Sequence, residues 1–244
     1  MAPRDGHAHP SLRIALLLLC AAAGGVETVS FIGLAHVFAG VVTSNFALLG
    51  MAVGSGSAVD VTAAVLALAG FGSGLTIVAI YTRGTASTTA SWPHRVLLVL
   101  VVETFLLGLS ALAWGLTDGS PGEALRDVLQ CGVAAAMGMQ SAAMVAAGKT
   151  ASPTTYLTGS LATYVVKGLG GGKQGLWVPL RVTSLIAGAA LSAALLREAR
   201  GWALGPSVVF LLCALAAACT PLTRMRDGRS GWPGGRRSRR SPRR

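Results

Sequence analysis

GVVTSNFALLG, residues 40–50, sets Thr43, Ser44 and Asn45 side by side between two apolar runs. A segment passing straight through lipid would leave these side chains without water to bond, and polar groups at membrane depth cost free energy unless paired or hydrated. The stretch therefore reads as a helix break packed against other protein, and not as a plain crossing.

The rest of the chain shows why membrane depth is the right setting. Of its 244 residues, 52% are hydrophobic and 12% charged, about half the roughly 25% charge of soluble domains. A helical crossing needs about 20 mostly apolar residues. Six segments supply them: 13–35, 59–82, 95–117, 124–147, 176–197 and 203–222. Two further segments, 36–53 and 153–168, are too short or too polar for an unsupported crossing; the second carries Thr154, Thr155, Tyr156, Thr158, Ser160, Thr163 and Tyr164. The start, MAPRDGHAHPSLR followed by IALLLLCAAAGG, has the form of a secretory leader. Apolar character resumes at Val26 and runs to Phe38, so an uncleaved first span is expected.

Charge chooses between six crossings and eight, because cytoplasmic loops of membrane proteins are enriched in Lys and Arg. With the N-terminus inside, six spans place Arg4, Arg13, Arg83, Arg95, Lys149, Lys167, Lys173 and Arg181 in the cytoplasm and Arg126, Arg197 and Arg200 outside, eight to three. Letting both doubtful segments cross moves Arg83, Arg95 and Lys149 out and Arg126 in, six to five. Six spans is the better reading, although the Arg197–Arg200 loop counts against it and either doubtful segment could cross if buried. Both termini then lie in the cytoplasm, in a multi-pass protein of the cell membrane.

The expected organisation is a cytoplasmic segment (1–12), one transmembrane domain (13–222) and a basic tail (223–244). The tail holds nine arginines against Asp227 alone, eight of the eleven net positive charges of the chain. Rich also in Gly and Ser, it is expected to be disordered and to lie along anionic lipid headgroups, with no specific nucleic-acid partner. Within the domain a repeat emerges at an offset of 114–115 residues. GGVETV (24–29) aligns with GMQSAA (138–143), and TSN (43–45) with TGS (158–160). Repeat 1 spans about 13–117 and repeat 2 about 124–222. Each reads as span, short polar helix, span, span, and an odd number of crossings gives the two copies opposite orientation. The expected fold class is thus all-α: a polytopic integral membrane protein of about six transmembrane helices in two inverted three-span repeats, each with an additional short polar broken or re-entrant helix.

At these residues the sequence resembles the YoaK family of bacterial membrane proteins of unknown function. The family signature G-x-x-D-A-x-S-F-L-x-L-G followed by V-F-x-A-x-x-T-G-N is echoed by GGVETVSFIGLAHVFAGVVTSN, and G-M-Q-N-A followed by T-T-Y-L-T-G-T by GMQSAA and TTYLTGS. The resemblance covers roughly residues 12–222. Glu27 stands in place of the family Asp, Ser44 in place of Gly, and Ser141 in place of Asn. The carboxylate survives one methylene longer, whereas a break needing positive φ at 44 would suit Ser poorly. The family carries no activity, so chemistry rests on the residues themselves.

Those residues form a candidate solute site: Glu27 on the first span, Thr43, Ser44 and Asn45 at the break, and Gln140, Ser141, Thr158, Gly159 and Ser160 from the second repeat. Transporters with inverted repeats build midplane sites from discontinuous helices in this way. The competing reading is that these groups glue helices together. Glu27 and Glu103 are the two carboxyls well inside spans, and with no Lys or Arg beside them in a span either is a possible proton carrier. In the leading reading, Glu27→Gln abolishes proton-linked uptake while the protein still inserts.

No cofactor or metal is expected. Cys20, Cys131, Cys213 and Cys219 lack CxxC spacing, and GLGGGKQG (168–175) fails as a phosphate loop because Lys167 and Gln174 occupy its first Gly and its hydroxyl positions. An enzyme is not expected either: His7, His9, His36 and His94 lie in the tail or near span ends, and no paired carboxylates or nucleophile elbow appears. The leading expectation is a small-solute transporter or permease acting on an unknown small solute in the lipid bilayer, with proton coupling left open. The alternative is a non-transporting membrane partner or sensor. Sequence assigns no oligomeric state.

Overall fold

The structure, a computed structural model, describes residues 10–55, 61–85, 91–148, 154, 157–166 and 176–230, with 221–230, Ser55 and Thr163 described by backbone alone. Residues 1–9, the 168–175 loop and the tail beyond Ser230 lie outside it, as do Thr155 and Tyr156. The described chain is helical without strands: α1 (Pro10–Thr28), α2 (Val42–Ser55), α3 (Val61–Tyr81), α4 (His94–Leu116), α5 (Glu123–Ala147), α6 (Thr158–Val166), α7 (Trp177–Glu198) and α8 (Gly205–Ser230).

Six helices are long and apolar enough to cross a membrane: α1 with its extension to Ala35, α3, α4, α5, α7 and the stretch Arg200–Thr220. They coincide with the six expected spans to within a few residues. The doubtful segments become α2 and α6, of 14 and 9 residues. At 1.5 Å per residue these reach about 21 and 14 Å, short of the ~30 Å hydrocarbon core.

Local chemistry sets the boundaries. Pro10 opens α1 and Pro206 follows the first residue of α8, where a missing N–H costs nothing. Glu123 sits in the first turn of α5, matching the positive end of the helix dipole. Gly148 (φ 63°) ends α5, and Asp118 (φ 48°) with Gly119 (φ 70°) turns the chain from α4 to α5. α8 runs on to Ser230, past residue 223 where sequence reading starts a disordered tail; Arg224, Arg226 and Arg229 are good helix formers and continue its last turns.

α1 and α5 form the centre and are mostly buried along their spans, whereas α3 and α7 are mostly exposed along theirs. Their partners are exchanged between the two sequence halves: α1 packs on α7 and α8, α5 on α3 and α4, and α4 meets α8. Glycines permit the closest approaches. A Cβ at Gly24 would strike the Leu185 carbonyl and the Ala189 amide, and one at Gly138 the Phe71 carbonyl and the Leu75 amide. Gly188 faces the Ala21 carbonyl and Gly74 the Ala135 carbonyl in the same way. Lipid offers no hydrophobic drive for helices to associate, so such backbone-to-backbone packing carries the assembly. Large apolar side chains such as Ile77, Ile80, Phe105, Leu109 and Ile186 point outward from the bundle, as a surrounding hydrocarbon requires.

Candidate functional site

The first helix does not stop at Thr28. It widens into a π-helical turn, Val29–Ala35, and leaves helical geometry at His36, whose φ is 58°. The helix resumes at Val42. Between them the backbone has no ladder of its own, and buried backbone groups must find partners. Glu27 accepts the Ala39 N–H on Oε2 at 2.9 Å and the Gly40 N–H on Oε1 at 2.7 Å. Asn45 accepts the Phe38 N–H at 2.9 Å and donates from Nδ2 to the Phe38 carbonyl at 2.6 Å; this pair of opposite needs sets its amide orientation. Ser30 donates to the Val37 carbonyl at 2.7 Å and accepts from Gln130 Nε2 at 2.9 Å. Three side chains of one half thus hold the break, and Gln130 ties it to α5.

The polar triplet that marks the break does not itself break the helix. Thr43, Ser44 and Asn45 form the first turn of α2, and Ser44 is helical. The positive φ falls at His36, so serine in place of the family glycine at 44 meets no backbone strain.

In the second half, Gln140 donates to Thr154 Oγ1 at 2.7 Å and to the Leu19 carbonyl at 3.3 Å. Its Oε1 is buried without a partner among the described residues. Ser141 donates to the Met137 carbonyl at 2.8 Å, and α6 begins at Thr158, with the Leu161 N–H reaching the Leu157 carbonyl at 2.9 Å.

A cavity of about 820 Å³ lies between the two short helices. Gly40, Val41, Val42 and Thr43 wall one side, and Leu157, Thr158, Gly159 and Leu161 the other. Phe71 and Leu75 from α3, Ser141 and Val145 from α5, and Val182 and Leu185 from α7 complete it. Of the residues expected at the site, Thr43, Ser141, Thr158 and Gly159 line this space. Asn45 and Gln140 are buried in the packing, and Ser44 and Ser160 are half-buried off the lining. Glu27 sits behind Gly40: a Cβ at 40 would fall 2.7 Å from its Oε1 and 3.2 Å from Met137 Cβ. A glycine is therefore needed for the amide to reach the carboxyl.

Among the described residues the lining carries no acidic or basic side chain. Its polar groups are the hydroxyls of Thr43, Ser141 and Thr158 and the N-terminal ends of α2 and α6. In α2 the first backbone bonds are those of the Ser44 and Asn45 N–H groups to the Val41 carbonyl, at 3.1 and 3.3 Å. The Val42 and Thr43 amides precede that ladder and lie at the wall, at the positive end of the helix. Among the described residues no cluster of His, Cys, Asp and Glu could hold a metal ion. Glu103, the other candidate proton carrier, is fully buried on α4, and neither carboxyl oxygen has a partner among the described residues.

Sequence reading missed the Ser30–Gln130 link and the role of Gly40. The signal for Ser30 was its position one turn beyond Glu27. Gly40 had none, since the contact it permits joins residues 13 positions apart.

Comparison with known proteins gives the same family as the two signatures. Residues 15–217 match the family described as Protein of unknown function (DUF1275). The UPF0700 transmembrane protein YoaK of Bacillus subtilis (strain 168) is 34% identical over 148 residues, 61% of this chain and 63% of that protein. The match thus spans less than two thirds of the relative's length. No solved structure matches the chain.

Proposed function

The chain belongs to the DUF1275 family of YoaK-like membrane proteins, and from that premise we propose that it is a small-solute permease whose site is the cavity between α2 and α6. One observation carries the reading: both short helices end at the same space, and equivalent positions of the two halves face each other across it. Thr43 and Thr158 both line it, as do Phe71 and Leu185. The volume falls within the ~300–1,000 Å³ of small-molecule sites.

The inverted repeat is part of the proposal. Gly24 and Gly138 are 114 positions apart, as are their partners Phe71 and Leu185, and Leu75 and Ala189; Gly74 and Gly188, with Ala21 and Ala135, keep the same offset. Three spans in each half give the copies opposite orientations, with both termini in the cytoplasm and the basic tail on anionic headgroups, where each arginine adds about 1 kcal/mol.

An uncharged or weakly polar solute fits hydroxyl-dotted apolar walls, with an acceptor group turned toward the Val42 and Thr43 amides. The protein is read as a carrier and not a catalyst. Of the two carboxyls, Glu103 suits proton coupling better, because both oxygens of Glu27 are already engaged by backbone amides.

The same engagement favours a second reading, a non-transporting membrane partner or sensor in which the polar groups only hold helices together. One experiment separates the two. Cys20, Cys131, Cys213 and Cys219 are replaced, a cysteine is placed at Thr43 or Thr158, and a membrane-impermeant thiol reagent is applied from each side of the membrane. The permease reading expects labelling at both positions, and protection by a solute that also raises thermal stability; a ligand at 100 times its Kd adds about 2.7 kcal/mol. Failure to label either position from either side rules out a water-filled site there.

A further inference from the structure

We infer that the two bodies that move against each other are not the two sequence halves but two bundles that have exchanged their first helices: α1 with α6, α7 and α8, and α5 with α2, α3 and α4. The inference rests on the permease reading, since it concerns how the cavity opens.

The argument begins with contact type. Inside each bundle the tightest pair, α1 with α7 in one and α3 with α5 in the other, touches backbone to backbone. Gly24 and Gly188 press α1 onto α7, and Gly25 brings α1 against Ser192 of α7 and Ser207 of α8. Ser184 of α7 also donates to the Leu17 carbonyl of α1 at 2.6 Å. In the other bundle Gly70 and Gly74 press α3 onto Cys131 and Ala135 of α5, and Gly138 presses α5 onto Phe71 and Leu75 of α3. Such surfaces leave no room to slide, because close-packed backbone transmits displacement instead of absorbing it.

Between the bundles the contacts at membrane depth differ in kind, and backbone again approaches backbone only at one end, where Gly119 meets Arg200 and Gly115 meets Gly201. The membrane-depth seam is held by discrete side-chain bonds: Ser30 with Gln130, and Gln140 with the Leu19 carbonyl. At one end Trp114 donates to the Arg200 carbonyl at 2.7 Å, and Arg200 Nε to the Gly119 carbonyl at 2.8 Å. Hydrogen bonds of this sort can exchange partners during a rigid-body movement.

The cavity lies on this seam. Phe71, Leu75, Ser141 and Val145 face it from α3 and α5, and Val182 and Leu185 from α7. The His36–Val41 linker also crosses the seam, since α2 packs on α3 while Glu27 of α1 grips its amides. That linker is the natural hinge: a few unwound residues, one at positive φ, between elements that belong to different bodies.

The test uses the full chain in lipid nanodiscs, with the native cysteines replaced and pairs of spin labels on outward-facing positions. Ile14 with Ile186 joins different sequence halves within one bundle, and Val128 with Ile77 does the same in the other. Ile14 with Ile77, and Val128 with Ile186, join the same half across the seam. Distances are compared between the parent and two separate cavity-filling variants, Thr43→Trp and Thr158→Trp, so that loss of folding in one does not decide the matter. The inference expects the across-seam distances to shift or broaden while the within-bundle distances stay fixed. It is overturned if the within-bundle pairs move while the same-half pairs hold, or if no pair moves in either variant. Thiol access at Thr43 is read separately, so an open cavity combined with movement along the sequence halves sinks this inference and leaves the permease reading standing.

Discussion

Replacing Glu27 by glutamine distinguishes a clamp from a proton carrier. In the structure its two oxygens each accept one backbone N–H, from Ala39 at 2.9 Å and Gly40 at 2.7 Å. A glutamine keeps one acceptor and turns an NH₂ toward the other amide, so one N–H loses its partner. An orphaned buried amide costs about 1–3 kcal/mol. For a chain of about 150–250 residues each kcal/mol lowers Tm by about 2–4 °C, so the glutamine variant is expected to melt roughly 2–12 °C below the parent. Alanine orphans both amides and should cost about twice as much. Thermal unfolding of detergent-purified protein measures the first quantity, and hydrogen exchange at Ala39 and Gly40 locates it. Exchange at these two amides should accelerate while that of α3 and α5 does not. A glutamine variant with the melting temperature of the parent and unchanged exchange at 39 and 40 would refute the clamp. It would return Glu27 to the role of proton carrier, whose mark is intact stability with loss of proton-linked uptake.

Other outcomes follow from the same contacts. Asn45→Ala removes both bonds to Phe38 and is expected to destabilise by about 1–3 kcal/mol for each group left unpaired; Asn45→Asp, which sets an oxygen against the Phe38 carbonyl, should recover little of it in the same melting assay. Gly24→Ala, Gly138→Ala, Gly74→Ala and Gly188→Ala each push a methyl into backbone and should lower stability by about 1–3 kcal/mol. Gly50→Ala and Gly72→Ala, with nothing within 4 Å of the added carbon, should be neutral or gain up to about 1 kcal/mol. Glu103→Leu replaces two unpartnered buried oxygens with an apolar group and is expected to raise the melting temperature; a fall would mean that the carboxyl has a partner in the membrane.

What the sequence discloses and what it hides divide along the range of the interactions involved. Six spans are legible because hydropathy is local: each helix must cover its own polar backbone over the whole hydrocarbon depth, so its composition declares it. The short helices are legible as exceptions, since Thr43, Ser44, Asn45, Thr158 and Ser160 would be costly on a lipid face. The position of the break is not legible. It lies at His36–Val41, in a stretch of ordinary apolar composition, because the groups that stabilise it reach back from Asn45 and forward from Ser30 and Glu27. A motif reading puts the break on the residues that look polar, whereas the chain unwinds where those residues aim their bonds.

The same distinction explains why the departures from the family signature are tolerable. Position 44 is helical here, so a serine costs no strain. At position 27 the requirement is an acceptor for two adjacent amides, which a carboxylate meets with its two oxygens whether the stem is that of Asp or Glu, provided the stem reaches. Glu27 reaches in this chain because Gly40 leaves its carboxyl room. Residues 27 and 40 therefore act as one unit: a Cβ at 40 should be less damaging when position 27 is shortened to Asp than when it is Glu. The double variant Glu27→Asp with Gly40→Ala should accordingly melt above the value obtained by adding the two single losses. Strict additivity in that cycle would show that the two positions do not share the contact on which the break depends.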